Sequence, residues 1–354
     1  MRKKKFTPIS EIGEFNLIRK IIKGARLQHK STKKGIGDDA AVLIQTKDRD
    51  QLISTDTLIE GVHFNPTYCP LKHIGYKAVA VNISDICSMN GTATHITVSL
   101  AIPNKYSVEL VSELYEGIKL ACSNYDIDLI GGDTTASASG LVISVTVLGE
   151  SKPQKTTYRS GAKPGDLLVV SGDLGGAYLG LQILERENAL FEENNKSQPK
   201  LNPYSHVLGK QLKPEPRTDI IKKLNNLSIQ PSSMIDVSDG LSSESAHLAR
   251  ASQIGIKIFE DKIPISQEAK LVAEELNLEP THCALYGGED YELLFTVSIK
   301  NYKKLEGCAG LTIIGHTTKA PNQLELVTAL NETINLNDSG WNPFSSQPEK
   351  EQNI

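Results

Sequence analysis

Acidic residues recur along this chain inside short Gly, Ser and Thr frames that lie far apart in sequence. They read Gly35-Ile36-Gly37-Asp38-Asp39, Ser54-Thr55-Asp56-Thr57, Asn82-Ile83-Ser84-Asp85, Gly131-Gly132-Asp133-Thr134-Thr135, Asp236-Val237-Ser238-Asp239-Gly240 and Gly287-Gly288-Glu289-Asp290. Small neighbours leave the backbone free to turn and let a ligand come close. Carboxylates are hard oxygen ligands of the kind Mg²⁺ takes. Any one of these frames alone reads as an Asp in a solvated turn. Their repetition calls for a fold that gathers many loops around one metal-rich phosphate site.

Pattern along the chain sets the fold class. Ala41–Gln45 and Gln51–Thr55 read as strands, and Lys72–Met89 carries Ile74, Ala78 and Val81 at helical spacing. Thr94–Ile102 alternates and stops at Pro103; Ser107 is a fitting N-cap for a helix to Asn124. Strands are expected at Ile127–Ile130 and Leu141–Gly149, giving the order β-β-α-β-α-β-β, nearer to α+β than to a doubly wound sheet. The polar stretch Glu150–Pro164, with Pro153, Gly161 and Pro164, places a domain boundary near 150, so that 1–150 and 151–354 form two α/β domains. In the second, strands are expected at Asp166–Val170, Ile256–Phe259, Tyr291–Val297 and Leu311–Ile314. Helices are expected at Gly175–Glu185, Thr218–Asn226, Ser242–Ser252 and Ser266–Leu276. Arg186–Pro203 reads as a mobile loop and 345–354 as a disordered tail. In this reading Asp56 ends a strand, Asp133 follows one, Asp236 ends one, and Asp239-Gly240 precedes a helix.

Charge and composition exclude several classes. With 354 residues, 39% hydrophobic and 23% charged, the chain is long enough for about two packed domains. A net charge of −4, with no basic block beyond Arg2-Lys3-Lys4-Lys5, argues against nucleic acid. No apolar run reaches transmembrane length, and the basic start is not followed by the apolar core of a signal peptide. The cysteines (Cys69, Cys87, Cys122, Cys283, Cys308) are scattered, without a C-x-x-C, so a cytoplasmic protein is expected. Gly35-x-Gly37-x-x-Ala40 matches a dinucleotide fingerprint only loosely: Lys30–Lys34 does not read as a strand, and two acids stand where a pyrophosphate would approach. Phosphate-loop, protein-kinase and H-E-x-x-H motifs are absent from the sequence. Two unit charges 4 Å apart repel by about 1 kcal/mol in water and roughly 4 kcal/mol at an effective dielectric of 20. An acidic site for a polyphosphate therefore calls for several divalent cations as bridges.

These frames, together with Ile-Ser-Thr-Asp-Thr-Leu-Ile-Glu-Gly-Val-His-Phe (53–64), Tyr-Lys-Ala-Val-Ala-Val-Asn-Ile-Ser-Asp (76–85), Arg-Ser-Gly-Ala-Lys-Pro-Gly-Asp (159–166) and Tyr-Gly-Gly-Glu-Asp-Tyr-Glu-Leu (286–293), resemble the thiamine-monophosphate kinase family from about Gly13 to Phe344. The resemblance implies Mg²⁺- and ATP-dependent phosphorylation of thiamine monophosphate to thiamine diphosphate. It also implies the fold of the aminoimidazole ribonucleotide synthetases and a homodimer that pairs its N-terminal sheets. The family's metal ligands fall on Asp39, Ser54 (through its carbonyl), Thr55, Asp56, Asp85, Asp133, Asp236 and Asp239. Of these, Asp56, Asp133 and Asp239 would act in catalysis through the metal. Nucleotide contacts fall on Gly132, Asp133, Arg159 and Ser238, and substrate contacts on His63, Glu289 and an aromatic, Trp341 first and Phe344 second. Each has a plainer role open to it: Asp38 a turn former beside Asp39, His63 a structural histidine, Arg159 a surface charge, Trp341 a core plug. The acceptor would be a phosphate monoester whose second pKa is about 6, already ionised at neutral pH. No general base is then needed, and direct in-line transfer is expected. A relative of the same fold making aminoimidazole ribonucleotide, or a non-catalytic thiamine phosphate sensor, are the rival readings.

Overall fold

The computed structural model describes residues 9–23, 27–194 and 199–336. Trp341, Phe344 and the 345–354 tail lie outside the described residues. The first half runs α1 (Ile9–Ile21), β1 (Thr32–Lys34), β2 (Ala41–Ile44), β3 (Asp50–Ile59), α2 (Leu71–Ser88), β4 (Thr92–Pro103), α3 (Val108–Tyr125), β5 (Asp128–Ser137) and β6 (Val142–Ser151). The strands form one sheet in the order β1-β2-β3-β6-β4-β5, antiparallel except for the β4–β5 pair.

Alternation decides which face is buried. Along β6, Ile143, Val145 and Val147 point inward, and on β3 Leu52 and Leu58 do the same. Helices α2 and α3 cover that face. The other face is polar: Thr146 donates its hydroxyl to Thr55 at 3.1 Å, and Thr57 donates to Ser144 at 3.1 Å. At the β5 edge, Leu129 and Ile130 are exposed.

Helix α2 is buried on nearly every side, because it packs on α3, on the first sheet and, from the second half of the chain, on the strand Ser233–Asp236 and the helices Ser205–Leu212 and Thr218–Asn226. Its crossing with α3 depends on two glycines. A Cβ on Gly117 would lie 1.9 Å from the Lys72 carbonyl oxygen, and one on Gly75 2.0 Å from that of Leu114.

The second half contains β7 (Leu167–Ser171), α4 (Gly176–Asn194), α5 (Ser205–Leu212), α6 (Thr218–Asn226), β8 (Ser233–Asp236), α7 (Leu241–Ser252), β9 (Gly255–Phe259), α8 (Gln267–Glu275), α9 (Pro280–Tyr286), β10 (Leu293–Val297), α10 (Tyr302–Leu305), β11 (Leu311–Thr318), β12 (Leu324–Val327) and β13 (Thr333–Asn335). Its sheet order is β13-β12-β9-β11-β7-β10-β8. β7, β8 and β10 are buried on both faces, and β7 and β10 accordingly read as nearly continuous apolar runs, Leu-Leu-Val-Val and Leu-Leu-Phe. A large hydrophobic core runs from the first sheet through α2 to one face of the second sheet, and a smaller core fills the other face under α7.

The mixed two-sheet architecture is the expected one; several local expectations fail. Residues 186–194 are not loop but the last turns of α4. Glu192 and Glu193 are exposed there, and Asn188 donates to Glu192 one turn on at 3.1 Å. Thr32–Lys34 is a strand after all, since β2 supplies the pairing that its composition does not advertise. It leads into another strand rather than a helix, so the glycine pattern at 35–40 is still no dinucleotide fingerprint. Asp56 lies inside β3 and Asp133 inside β5, neither at a strand end. Helix α1 was not expected at all.

Candidate active site

Four elements converge on a cluster of carboxylates. Ser54 and Asp56 share the inner face of β3, while Thr55 points to the other face and donates to the Val145 carbonyl at 3.0 Å. Ser54 Oγ donates to Asp85 Oδ2 at 2.5 Å and lies 3.0 Å from the Asp39 carbonyl oxygen. Asp85 projects from buried α2, as do Asn82, which accepts from the Asp56 N–H at 3.2 Å, and Ser84, which donates to Asp236 Oδ2 at 2.6 Å. Asp236 ends β8. Single carboxylate oxygens of Asp39, Asp85 and Asp236 lie within 4.8 Å of one another.

The electrostatics of this cluster call for a cation. Burial, and then the charge of Asp39, pushes Asp56 up to about 6 and Asp236 up to about 7. Asp85 is driven well above the carboxylate range by burial and by Asp56 and Asp236. Arg159 is the nearby counter-charge: its Nε and Nη2 donate to the same oxygen, Asp39 Oδ1, at 3.0 and 2.5 Å. Burial works against the guanidinium's charge, but Asp39 outweighs it and holds it firmly protonated. Asp39 Oδ2 is buried with no hydrogen-bond partner among the described residues. An orphaned buried carboxylate oxygen beside two more acids fits a divalent cation with oxygen ligands. Asp38 is not idle in its turn: it accepts the Arg159 N–H at 3.0 Å and pairs with Lys34 at 3.3 Å.

A second group adjoins the first. Asp239 precedes α7, and burial together with Glu14 of α1 raises it to about 7. Its N–H donates to Glu244 at 3.1 Å, and Ser238 Oγ stands 3.4 Å from the same oxygen. Glu289 stands next to this group, with its carboxylate 2.9 Å from Lys77 Nζ. His63 accepts the Ile59 N–H at Nδ1, 3.1 Å, and burial depresses its pKa although Glu289 works to raise it.

Asp133 does not join the cluster within one chain. Asp56, Val145, Val98 and Gly132 occupy one row across the sheet, so Asp133 falls in the row of Thr57, Ser144 and Ser99, on the opposite face. Three strand spacings put β5 about 14 Å from β3. Around Gly131, Gly132 and Asp133 opens a groove of about 550 Å³ lined by Val98, Tyr115 and Ile130. Gly132 is required there, since a Cβ would lie 1.8 Å from the Val98 carbonyl oxygen.

Sequence reasoning missed Lys77, Gln211, Glu244 and Tyr115, which the fold brings to these two places. None carries a local signal: a single Lys, Gln, Glu or Tyr inside a helical pattern reads as a surface residue until the packing is known.

Residues 37–151 match the family model for the AIR synthase related protein, N-terminal domain, and 163–325 that for its C-terminal domain. The chain is 35% identical to thiamine-monophosphate kinase of Bacillus subtilis over 94% of this chain and 99% of that one. It is 37% identical to thiamine-monophosphate kinase of Buchnera aphidicola subsp. Schizaphis graminum, again over 94% and 99%. Among solved structures, AaThiL complexed with AMPPCP and TMP superposes with a TM-score of 0.80 at 32% identity, covering 96% of this chain and 99% of that one.

Proposed function

The chain belongs to the thiamine-monophosphate kinase family, and we propose that it transfers the γ-phosphate of ATP directly to thiamine monophosphate, giving thiamine diphosphate, with Mg²⁺ as the required ion. The observation that carries this reading is the convergence of Asp39, Asp85 and Asp236 within 4.8 Å, with Asp39 Oδ2 unpartnered among the described residues. Asp39, Asp56, Asp85, Asp236 and Asp239 would hold the ions, with backbone oxygens at Ser54 and Thr55. Bound there, divalent cations supply charge neutralisation and alignment of the two phosphates. The chain's own residues do the rest. Arg159 and Ser238 meet the nucleotide's phosphates, and the open Gly131-Gly132 backbone with Tyr115 receives the nucleoside. His63 and Glu289 face the thiamine moiety, whose thiazolium cation Glu289 offsets. Trp341 or Phe344 would stack on that ring, worth ~0.5–2 kcal/mol. The acceptor phosphate is already an anion at neutral pH, so no side chain need take its proton.

The position of Asp133 supports a homodimer. Its groove stands at a free sheet edge, and the polar face of the first sheet is uncovered in a single chain. A second copy packed there would bring its own Asp133 and glycine strand toward the first copy's carboxylates. We place the reaction in the cytoplasm; all five cysteines are unpaired, and no helix among the described residues is long and apolar enough to cross a membrane.

The test is product formation from ATP and thiamine monophosphate with Mg²⁺ and with EDTA. Thiamine diphosphate is expected only with the metal. Equal turnover in EDTA would remove the metal role, and a phosphorylated residue trapped during turnover would remove direct transfer.

A further inference from the structure

Glu289 is held more tightly than a residue that only waits for a ligand requires. Both oxygens are gripped: Lys77 Nζ, from α2, lies 2.9 Å from Oε1, and Gln211 Nε2, from α5, donates to Oε2 at 2.8 Å. Lys77 Nζ also donates to the Gln211 carbonyl at 3.2 Å, so three separate elements close a ring. Glu289 itself has φ of 59°, a left-handed backbone that non-glycine residues avoid, and its N–H donates to the Ser238 carbonyl at 2.6 Å.

Stability does not account for this arrangement. Lys77 and Gln211 are only 6% and 4% exposed. Burying a lysine is unfavourable unless it is paired, and apolar residues of the same size pack as well or better. Gln211 Oε1 is buried without a hydrogen-bond partner among the described residues, a further cost. The closed cavity among His63, His73, Lys77 and Gln211 is only about 10 Å³, too small for a ligand, so the open side of Glu289 is the one toward His63, which feels the charges of both Glu289 and Lys77. On its other side Glu289 adds to the charge felt by Asp239. A free carboxylate here could turn either toward His63 or toward Asp239 and the other acids.

We propose that Lys77 and Gln211 are positioning residues that clamp Glu289 on the side of His63, where it meets the organic cation of the substrate, and keep it out of the aspartate cluster. This rests on the thiamine monophosphate reading of the site. Lys77 and Gln211 each hold one oxygen and so fix the plane of the carboxylate, and little ordering remains to be done on binding.

A double-mutant cycle tests the idea, with steady-state kinetics and calorimetric binding of thiamine monophosphate to the intact enzyme. Lys77→Met is expected to raise KM for thiamine monophosphate about 10-fold, the worth of one charge-assisted hydrogen bond. kcat and KM for ATP should stay within about threefold, and Lys77→Arg should restore most of the loss. In a Glu289→Gln background, Lys77→Met should add nothing, because both act through one carboxylate. Additive effects, or a loss of kcat at unchanged KM, would overturn the proposal. If Lys77→Met does not fold, Gln211→Leu combined with Glu289→Gln gives the same cycle. Wild-type enzyme that fails to bind thiamine monophosphate would sink the substrate reading and the positioning role together. Wild-type binding with an additive cycle would sink the positioning role alone.

Discussion

Asp236 illustrates how a residue can be costly to the fold and yet be needed by the proposed chemistry. An ordinary aspartate titrates near pH 4, and here burial and Asp39 push it up to about 7, each tenfold being worth about 1.4 kcal/mol. Asp236→Asn removes a charge the apo protein resists while keeping the acceptor for Ser84. It should raise the melting temperature in EDTA at pH 8 and lower turnover by roughly 100-fold or more, on the scale of losing a metal ligand's stabilisation. Calorimetry and the product assay check the two halves; wild-type turnover would take Asp236 out of the metal set. Arg159 has the opposite sign. It neutralises Asp39 from 2.5 Å away, and so competes with any dication for the same carboxylate. Arg159→Met should bind Mg²⁺ more tightly in the absence of nucleotide, about 10-fold by titration, while its affinity for ATP falls. Weaker Mg²⁺ binding would show that Arg159 presents Asp39 rather than guarding it.

At the scale of elements, α2 matters most. It carries Lys77, Asn82, Ser84 and Asp85, and its place is set by close contact with α3 at Gly75 and Gly117. Gly117→Ala puts a methyl group 1.9 Å from a backbone oxygen, so one helix must move. Destabilisation of about 1–3 kcal/mol or more is expected in denaturant titration, with loss of activity as Asp85 shifts. Unchanged stability and turnover would mean the crossing tolerates slippage. The helix was legible in sequence from Ile74, Ala78 and Val81, and the strands from their alternation. What escaped was context. Lys77 on a helix reads as solvated, and only burial between two domains turns it inward. The end of α4 looked like a loop because a polar helical face and a polar loop have the same composition. β1 was invisible because three residues declare no period; its partner strand makes it. Asp56 and Asp133 read alike in their small-residue frames, yet sheet register sends them to opposite faces.

For the whole molecule, the buried acids make stability depend on pH in an unusual direction. An aspartate that titrates higher folded than unfolded binds more protons in the native state between the two values. Stability then falls as pH rises through that window. Asp56 at about 6, and Asp236 and Asp239 at about 7, all have this sign, as does Asp290, raised to about 7 by burial at the start of α4. His63, His73 and His316 are depressed by burial and act oppositely up to about the pH where unfolded histidine finishes titrating, but they are outnumbered by the four raised acids. In EDTA, the melting temperature should therefore decline as pH rises from about 5 to 7 and level off above about 7.5. Mg²⁺ binds the ionised carboxylates, so saturating metal should remove most of that decline and stabilise more at pH 8 than at pH 6. The slope contributed by Asp290, which caps α4 through the Gly175 N–H at 2.7 Å and stands apart from the cluster, should persist with metal present. Scanning calorimetry with and without Mg²⁺ across this range separates the two. A melting temperature flat with pH in EDTA would show that the carboxylates already lose their mutual repulsion without a metal. The gathering of distant acidic frames would then no longer require one.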